Sequence, residues 1–120
     1  MKDNLLNKKC VPCEGGAKPL NHEEILKYME QVAGWILTEE QNTNVQESGL
    51  GARISKEYRF KDFIGAINFV NNVAEIAEGE GHHPYIKINY NKVNLELSTH
   101  AIGGLSENDF ILAAKIDAQN

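Results

Sequence analysis

The sequence predicts an α+β domain in which helices cover one face of a four-stranded antiparallel sheet. Three observations lead there. Segments with helical spacing and segments with alternating apolar residues follow in the order helix, strand, strand, helix, strand, strand, helix. The last two strand segments stand so close together that a tight antiparallel hairpin must join them. The chain has 120 residues, 42% of them hydrophobic and 24% charged, which suits one core and is too little for two. Helices gathered on one side of an antiparallel sheet bury such a set of elements.

Residues 1–19 read as an N-terminal arm and residues 20–120 as a single domain. The first helix opens at Asn21, which can cap it, with Glu24 three residues later for a capping box and Leu20 able to staple onto Ile25. Ile25, Met29 and Val32 continue the helical spacing, and Gly34 suits its end. Trp35-Ile36-Leu37 reads as a short strand, and the polar stretch from Glu39 to Gly51 as a connection or a loose hairpin. Ala52, Ile54, Tyr58 and Phe60 then alternate with Arg53, Ser55, Glu57 and Arg59, the period of a half-buried strand. A second helix is expected from about Lys61 to Glu78. Phe63, Ile67, Val70, Ala74 and Ala77 form its stripe, widened by Ile64, Phe69, Val73 and Ile76. So broad an apolar surface predicts burial on two sides, by a central position in the core or by a subunit interface.

The hairpin is the most informative stretch. Ile86, Ile88 and Tyr90 alternate with polar residues, as do Val93, Leu95 and Leu97, and Asn91-Lys92 lies between the two runs. Pairing Tyr90 with Val93 sets Ile88 opposite Leu95, Ile86 opposite Leu97 and Pro84 opposite Thr99. His83 then falls opposite His100, with His82 one step further out. The last helix is expected from about Glu107 to Ala118, with Ser106 as cap, Asp109 at the capping-box position and Leu105 stapled onto Phe110. Gly103-Gly104 brings the backbone into it from the fourth strand.

Composition excludes several function classes. A net charge of −5 argues against a nucleic-acid surface, which needs clustered cations to neutralise phosphates. No apolar run reaches membrane-spanning length, and Met1 to Lys9 lacks the apolar core of a secretory signal, so the expected compartment is the cytoplasm. Cys10 and Cys13, in "CVPCEGG", have the spacing of a metal or redox pair. No second cysteine pair exists to complete a zinc site, and no strand-then-helix frames the motif as in thioredoxin-like proteins. They are expected to be reduced thiols on the arm.

The convergence of His82, His83 and His100 is the feature that carries chemistry. A zinc ion on these three would need two adjacent residues to point the same way, which an extended chain disfavours. Imidazole, with a pKa near 6.5, can both give and take a proton around neutrality. Two such groups at a small cleft suit a reaction with a leaving hydroxyl and a departing proton. Glu78 and Asp109 stand where they could orient or charge the rings; a solvated helix end and a cap are their plainer roles. His22, alone at a helix start, reads as an ordinary polar residue.

Taken together, Gly34-Trp35, "FKDF" at Phe60 to Phe63, and "GHHPYIKINYNKVNLELSTHAIGGLSENDF" resemble the pterin-4a-carbinolamine dehydratases. The resemblance covers most of the chain after the arm. It implies a four-stranded antiparallel sheet with three helices on one side, assembled as a homodimer or homotetramer. The implied reaction is dehydration of 4a-hydroxytetrahydropterin to quinonoid dihydropterin, with no metal and no redox cofactor. That step recycles the pterin used by an aromatic amino-acid hydroxylase. Carried over by position, His82 and His100 match the acid/base histidines, and His83 matches a substrate-binding one. Glu78 and Asp109 match acidic residues near the pocket. Ile86 stands where some members carry a tryptophan, which leaves the proton chemistry untouched. Relatives of this fold also serve as coactivators or assembly chaperones, so a non-catalytic or dual-purpose binding module is the alternative function. A metal-dependent hydrolase is a third.

Overall fold

The computed structural model describes residues 5–11, 18–39 and 51–119. A 3-10 turn at Leu5–Asn7 is followed by α1 (His22–Met29), β1 (Ile36–Thr38), β2 (Arg53–Arg59) and α2 (Phe63–Glu80). Next come β3 (Tyr85–Asn89), β4 (Lys92–Leu97), a 3-10 turn at His100–Ile102, and α3 (Glu107–Ala118). The strands form one antiparallel sheet in the order β1-β2-β4-β3, so the expected α-β-β-α-β-β-α architecture is the observed one. Cys13 and most of the connection from Glu39 to Gly51 lie outside the described residues.

Helix α1 starts as its sequence dictates: Asn21 Oδ1 accepts from the Glu24 amide and Glu24 Oε1 accepts from the Asn21 amide, both at 2.9 Å. It stops at Met29, earlier than Gly34 suggested. Gly34 instead takes a left-handed conformation (φ 84°) in the approach to β1, where a Cβ would meet Lys56 Cε at 3.1 Å.

Alternation on β2 and β4 turns Ile54, Tyr58, Val93, Leu95 and Leu97 inward, all buried. Burying each such side chain is worth about 1.5–3 kcal/mol. Helix α3 is the central one, and its run from Asn108 to Ala113 is buried throughout. It packs against α2, against α1 and against the N-terminal turn, and Tyr28 of α1 stacks on Phe110 at 5.0 Å between ring centroids. Helix α2, whose broad apolar surface pointed to a central position in the core or to a subunit interface, buries a single stripe of Ala66, Phe69, Val73 and Ala77. Phe63 and Ile64 stay exposed on it. Its apolar residues exceed what this one chain covers.

The hairpin register differs from the counted one. Asn89 pairs with Lys92, Ile88 with Val93, Ile86 with Leu95 and Tyr85 with Glu96, so Tyr90-Asn91 is the turn. Two contacts explain the choice. Asn91 bonds Phe60 at the end of β2 through its carbonyl (2.8 Å) and its side-chain amide (3.0 Å). Lys92 is thereby freed to pair with Arg59 as well as Asn89. The cost falls on Tyr90, held in the left-handed region at φ 54°. A slip of two residues keeps every side chain on its face, so the hydrophobic pattern could not detect it. His83 is therefore not opposite His100. Continuing the observed count past Tyr85 brings His82 level with Thr99.

Candidate active site

Helix α2 ends in a Schellman motif that sets the first two histidines. Gly81 is left-handed (φ 68°), its amide donates to the Glu78 carbonyl at 3.3 Å, and the His82 amide donates to the Ala77 carbonyl at 3.2 Å. The chain then turns into Pro84 and β3. His82 is pinned against the helix end, with its side chain only 13% exposed.

Its partner is Asp109, in the first turn of α3 and fully buried. His82 Nε2 lies 2.6 Å from Asp109 Oδ1. The other oxygen, Oδ2, accepts from the Thr99 hydroxyl at 2.8 Å and from the Ser106 amide at 2.9 Å. Because Thr99 gives its proton to the carboxylate, the Ser106 hydroxyl is the donor in the 2.6 Å contact between those two side chains. A carboxylate accepts only, so Nε2 of His82 carries its hydrogen and Nδ1 is left for other chemistry. A buried charge is tolerated only when its lone pairs are met by donors, as they are here.

The remaining residues lie in water. His83 Nε2 contacts Glu78 Oε1 at 2.8 Å, with side chains 61% and 83% exposed, so solvent screens this pair and it adds little to stability. His100 is exposed on the 3-10 turn directly after Thr99. The structure thus groups the expected residues as His82 with Asp109 and His83 with Glu78, with His100 joined to the first pair through its neighbour Thr99. Thr99 as a link to Asp109 escaped the sequence reading, which placed it opposite Pro84. Its signal was the capping box itself: Asp109 at the third helical position must turn one oxygen back toward the residues before the helix.

Among the described residues, no three His, Cys, Asp or Glu side chains form a metal-binding group. No described helix is long and apolar enough to cross a membrane. Cys10 packs against the core, and its Sγ donates to the Asn108 carbonyl at 3.5 Å. Burial and the neighbouring Glu80 carboxylate push its thiol up to about 12, which keeps it protonated and unreactive.

A histidine held against a buried carboxylate, where a hairpin meets two helix ends, is an arrangement that proton transfer can use. Residues 18–119 match the family model described as pterin 4 alpha carbinolamine dehydratase, and the chain belongs to that family. A relative from Nitrosospira multiformis, named "Putative pterin-4-alpha-carbinolamine dehydratase", is 50% identical over 96% of this chain and 91% of its own length. The crystal structure of a transcriptional coactivator/pterin dehydratase from Brucella melitensis superposes with a TM-score of 0.69. It is 30% identical and covers 83% of this chain and 96% of its own. A pterin dehydratase-like protein identified as a RuBisCO assembly factor in the alpha-carboxysome shares the fold, with a TM-score of 0.55 at 21% identity. It covers 71% of this chain and 87% of its own.

Proposed function

We propose that this protein dehydrates 4a-hydroxytetrahydropterin to quinonoid dihydropterin by histidine acid/base catalysis, as a cytoplasmic step in tetrahydropterin recycling. The observation that carries the reading is the His82–Asp109–Thr99 chain, which holds one imidazole in a single tautomer and ends at the residue that precedes the exposed His100. Family membership supports it.

The chemistry asks for two proton transfers. The C4a hydroxyl leaves as water once protonated, the adjacent ring nitrogen supplies the electron pair, and the resulting cation gives up a proton. His82 and His100 are the proposed acid and base, with Asp109 orienting His82 and stabilising its charged form. His83, with Glu78 beside it, is proposed to hold the pterin. No metal or redox cofactor takes part in these steps. A homodimer or homotetramer using the exposed Phe63 and Ile64 of α2, supplied with substrate by an aromatic amino-acid hydroxylase, completes the proposal.

The test is a stopped assay on synthetic 4a-hydroxytetrahydropterin with and without a chelator. Chelator-resistant acceleration over the buffer rate is expected. No acceleration by the folded protein would move the binding-module reading ahead, and loss of activity with the chelator would favour a metal.

A further inference from the structure

The residues before the matched family region make a set of contacts that the proposed chemistry does not use. Leu5 is buried in the core, and the chain from Lys8 to Val11 then runs along the junction of two helix ends. The Cys10 amide donates to Glu80 Oε1, at the last residue of α2, at 2.9 Å. Asn108, in the first turn of α3, clamps Val11 in both directions: the Val11 amide donates to its Oδ1 at 3.0 Å, and its Nδ2 donates to the Val11 carbonyl at 2.6 Å. Cys10 Sγ reaches the Asn108 carbonyl, and Lys8 pairs with Glu107 at 2.5 Å.

These anchors flank the buried pair on both sides. Glu80 lies two residues before His82, whose own amide is locked to the end of α2. Asn108 is the immediate neighbour of Asp109. The arm thus ties the helix end that carries the imidazole to the helix start that carries its carboxylate. The 2.6 Å contact between them spans that same junction.

We infer that the segment Lys8–Val11, through Asn108 and Glu80, is a positioning element of the active site that sets the distance and orientation of His82 against Asp109. Two helix ends held by short hydrogen bonds drift by a fraction of an ångström when a tie is cut. Proton transfer is sensitive to displacements of that size. The inference rests on reading His82 as a proton-transfer group, so its test includes a readout that needs no turnover.

Val11→Pro removes the amide that Asn108 Oδ1 accepts, at a residue whose side chain faces solvent. Asn108→Ser removes both halves of the clamp. Both are made in the full chain with Cys13→Ser, so that Cys10 alone reports whether the arm has lifted. Circular dichroism confirms the fold; if Asn108→Ser does not fold, Val11→Pro carries the test. Cys10, protected in the parent, is expected to react with an aromatic disulfide reagent in the variants. The His82 Nε2–H proton resonance is expected to move or broaden, and kcat to fall about tenfold with KM within about twofold.

Exposure of Cys10 with an unchanged His82 resonance and unchanged kcat would overturn the inference. So would a fall in kcat without any change at His82. Continued protection of Cys10 in both variants would show that these bonds do not hold the arm, and the inference would fall with them. A parent protein with no dehydratase activity whose His82 resonance still follows the arm would sink the functional reading and leave the positioning role standing.

Discussion

Asp109 shows how one side chain serves structure and chemistry together. Its Oδ2 closes the start of α3 on the Ser106 amide, and its Oδ1 fixes the His82 ring. Capping is therefore no argument against a role in the site, since a carboxylate has an oxygen for each. His82→Ala and His100→Ala are each expected to lower kcat by about 10²–10⁴-fold, the usual worth of a general acid or base. His83→Ala should mainly raise KM, because a binding contact is made equally in the ground and transition states. Steady-state kinetics on folded variants decides this; a His82/His100 double variant with wild-type kcat would remove both from the chemistry. Thr99→Val keeps the volume near that of the parent and deletes the hydroxyl that Asp109 accepts. A buried acceptor deprived of its donor costs about 1–3 kcal/mol, to be read from urea unfolding. Unchanged stability would mean that water replaces the hydroxyl.

At the scale of elements, two carboxylates hold the last turn of α3, Asp117 from within it and Glu80 from the end of α2. Asp117, in its last turn, accepts from Trp35 Nε1 at 2.9 Å, Lys56 Nζ at 3.1 Å and the Tyr58 hydroxyl at 2.6 Å. Burial, then the bond to Asp117, drives the Tyr58 hydroxyl far above its usual range, so it remains a donor. Lys56 lies on the core face of β2, a position that alternation alone would give to an apolar residue; Asp117 and the Ala33 carbonyl account for it. On the α2 side, Glu80 accepts from Lys115 at 2.7 Å and from the Cys10 amide. The Lys115 bond, followed by the Cys10 amide, holds the Glu80 carboxyl below its ordinary 4.5. A depressed value stabilises the fold at pH above the unfolded value, and that contribution is lost as pH falls through the folded one. Glu80→Gln should therefore cost about 1–3 kcal/mol near neutrality, with the side chain only 12% exposed. The gap to the parent should close as acid titrations pass below 4.5. A gap that persists in acid would assign the loss to packing instead of charge.

For the whole molecule, the unused apolar surface is the main prediction. Phe63 and Ile64 are 47% and 64% exposed on α2, and Tyr85 and Ile88 are exposed along the edge strand β3, with Tyr90 exposed in the turn that follows it. Surfaces of this kind on a small domain mark association. Sedimentation should show a species of two or four chains, and Ile64→Lys should shift it toward the monomer while the fold persists. A parent protein that sediments as a monomer across the micromolar range would remove the proposed assembly.

What the sequence determined by itself is whatever depends on neighbours in the chain. The capping boxes at Asn21 and Ser106, the alternation of Ile54 and Tyr58 and of Val93, Leu95 and Leu97, and the histidine-bearing motif are all local patterns, and each survives in the structure. The family could be read from the same residues. Tertiary structure decided three things. It set the hairpin turn at Tyr90-Asn91, because Asn91 bonds a third strand that no two-strand count includes. It put α3 at the centre, because α1 and the N-terminal turn close over its second side. And it joined His82 to Asp109, 27 residues apart, because a Schellman turn and a helix cap happen to meet at one junction. Contacts between distant elements leave no periodicity in the sequence; only the packed molecule brings them within hydrogen-bond reach.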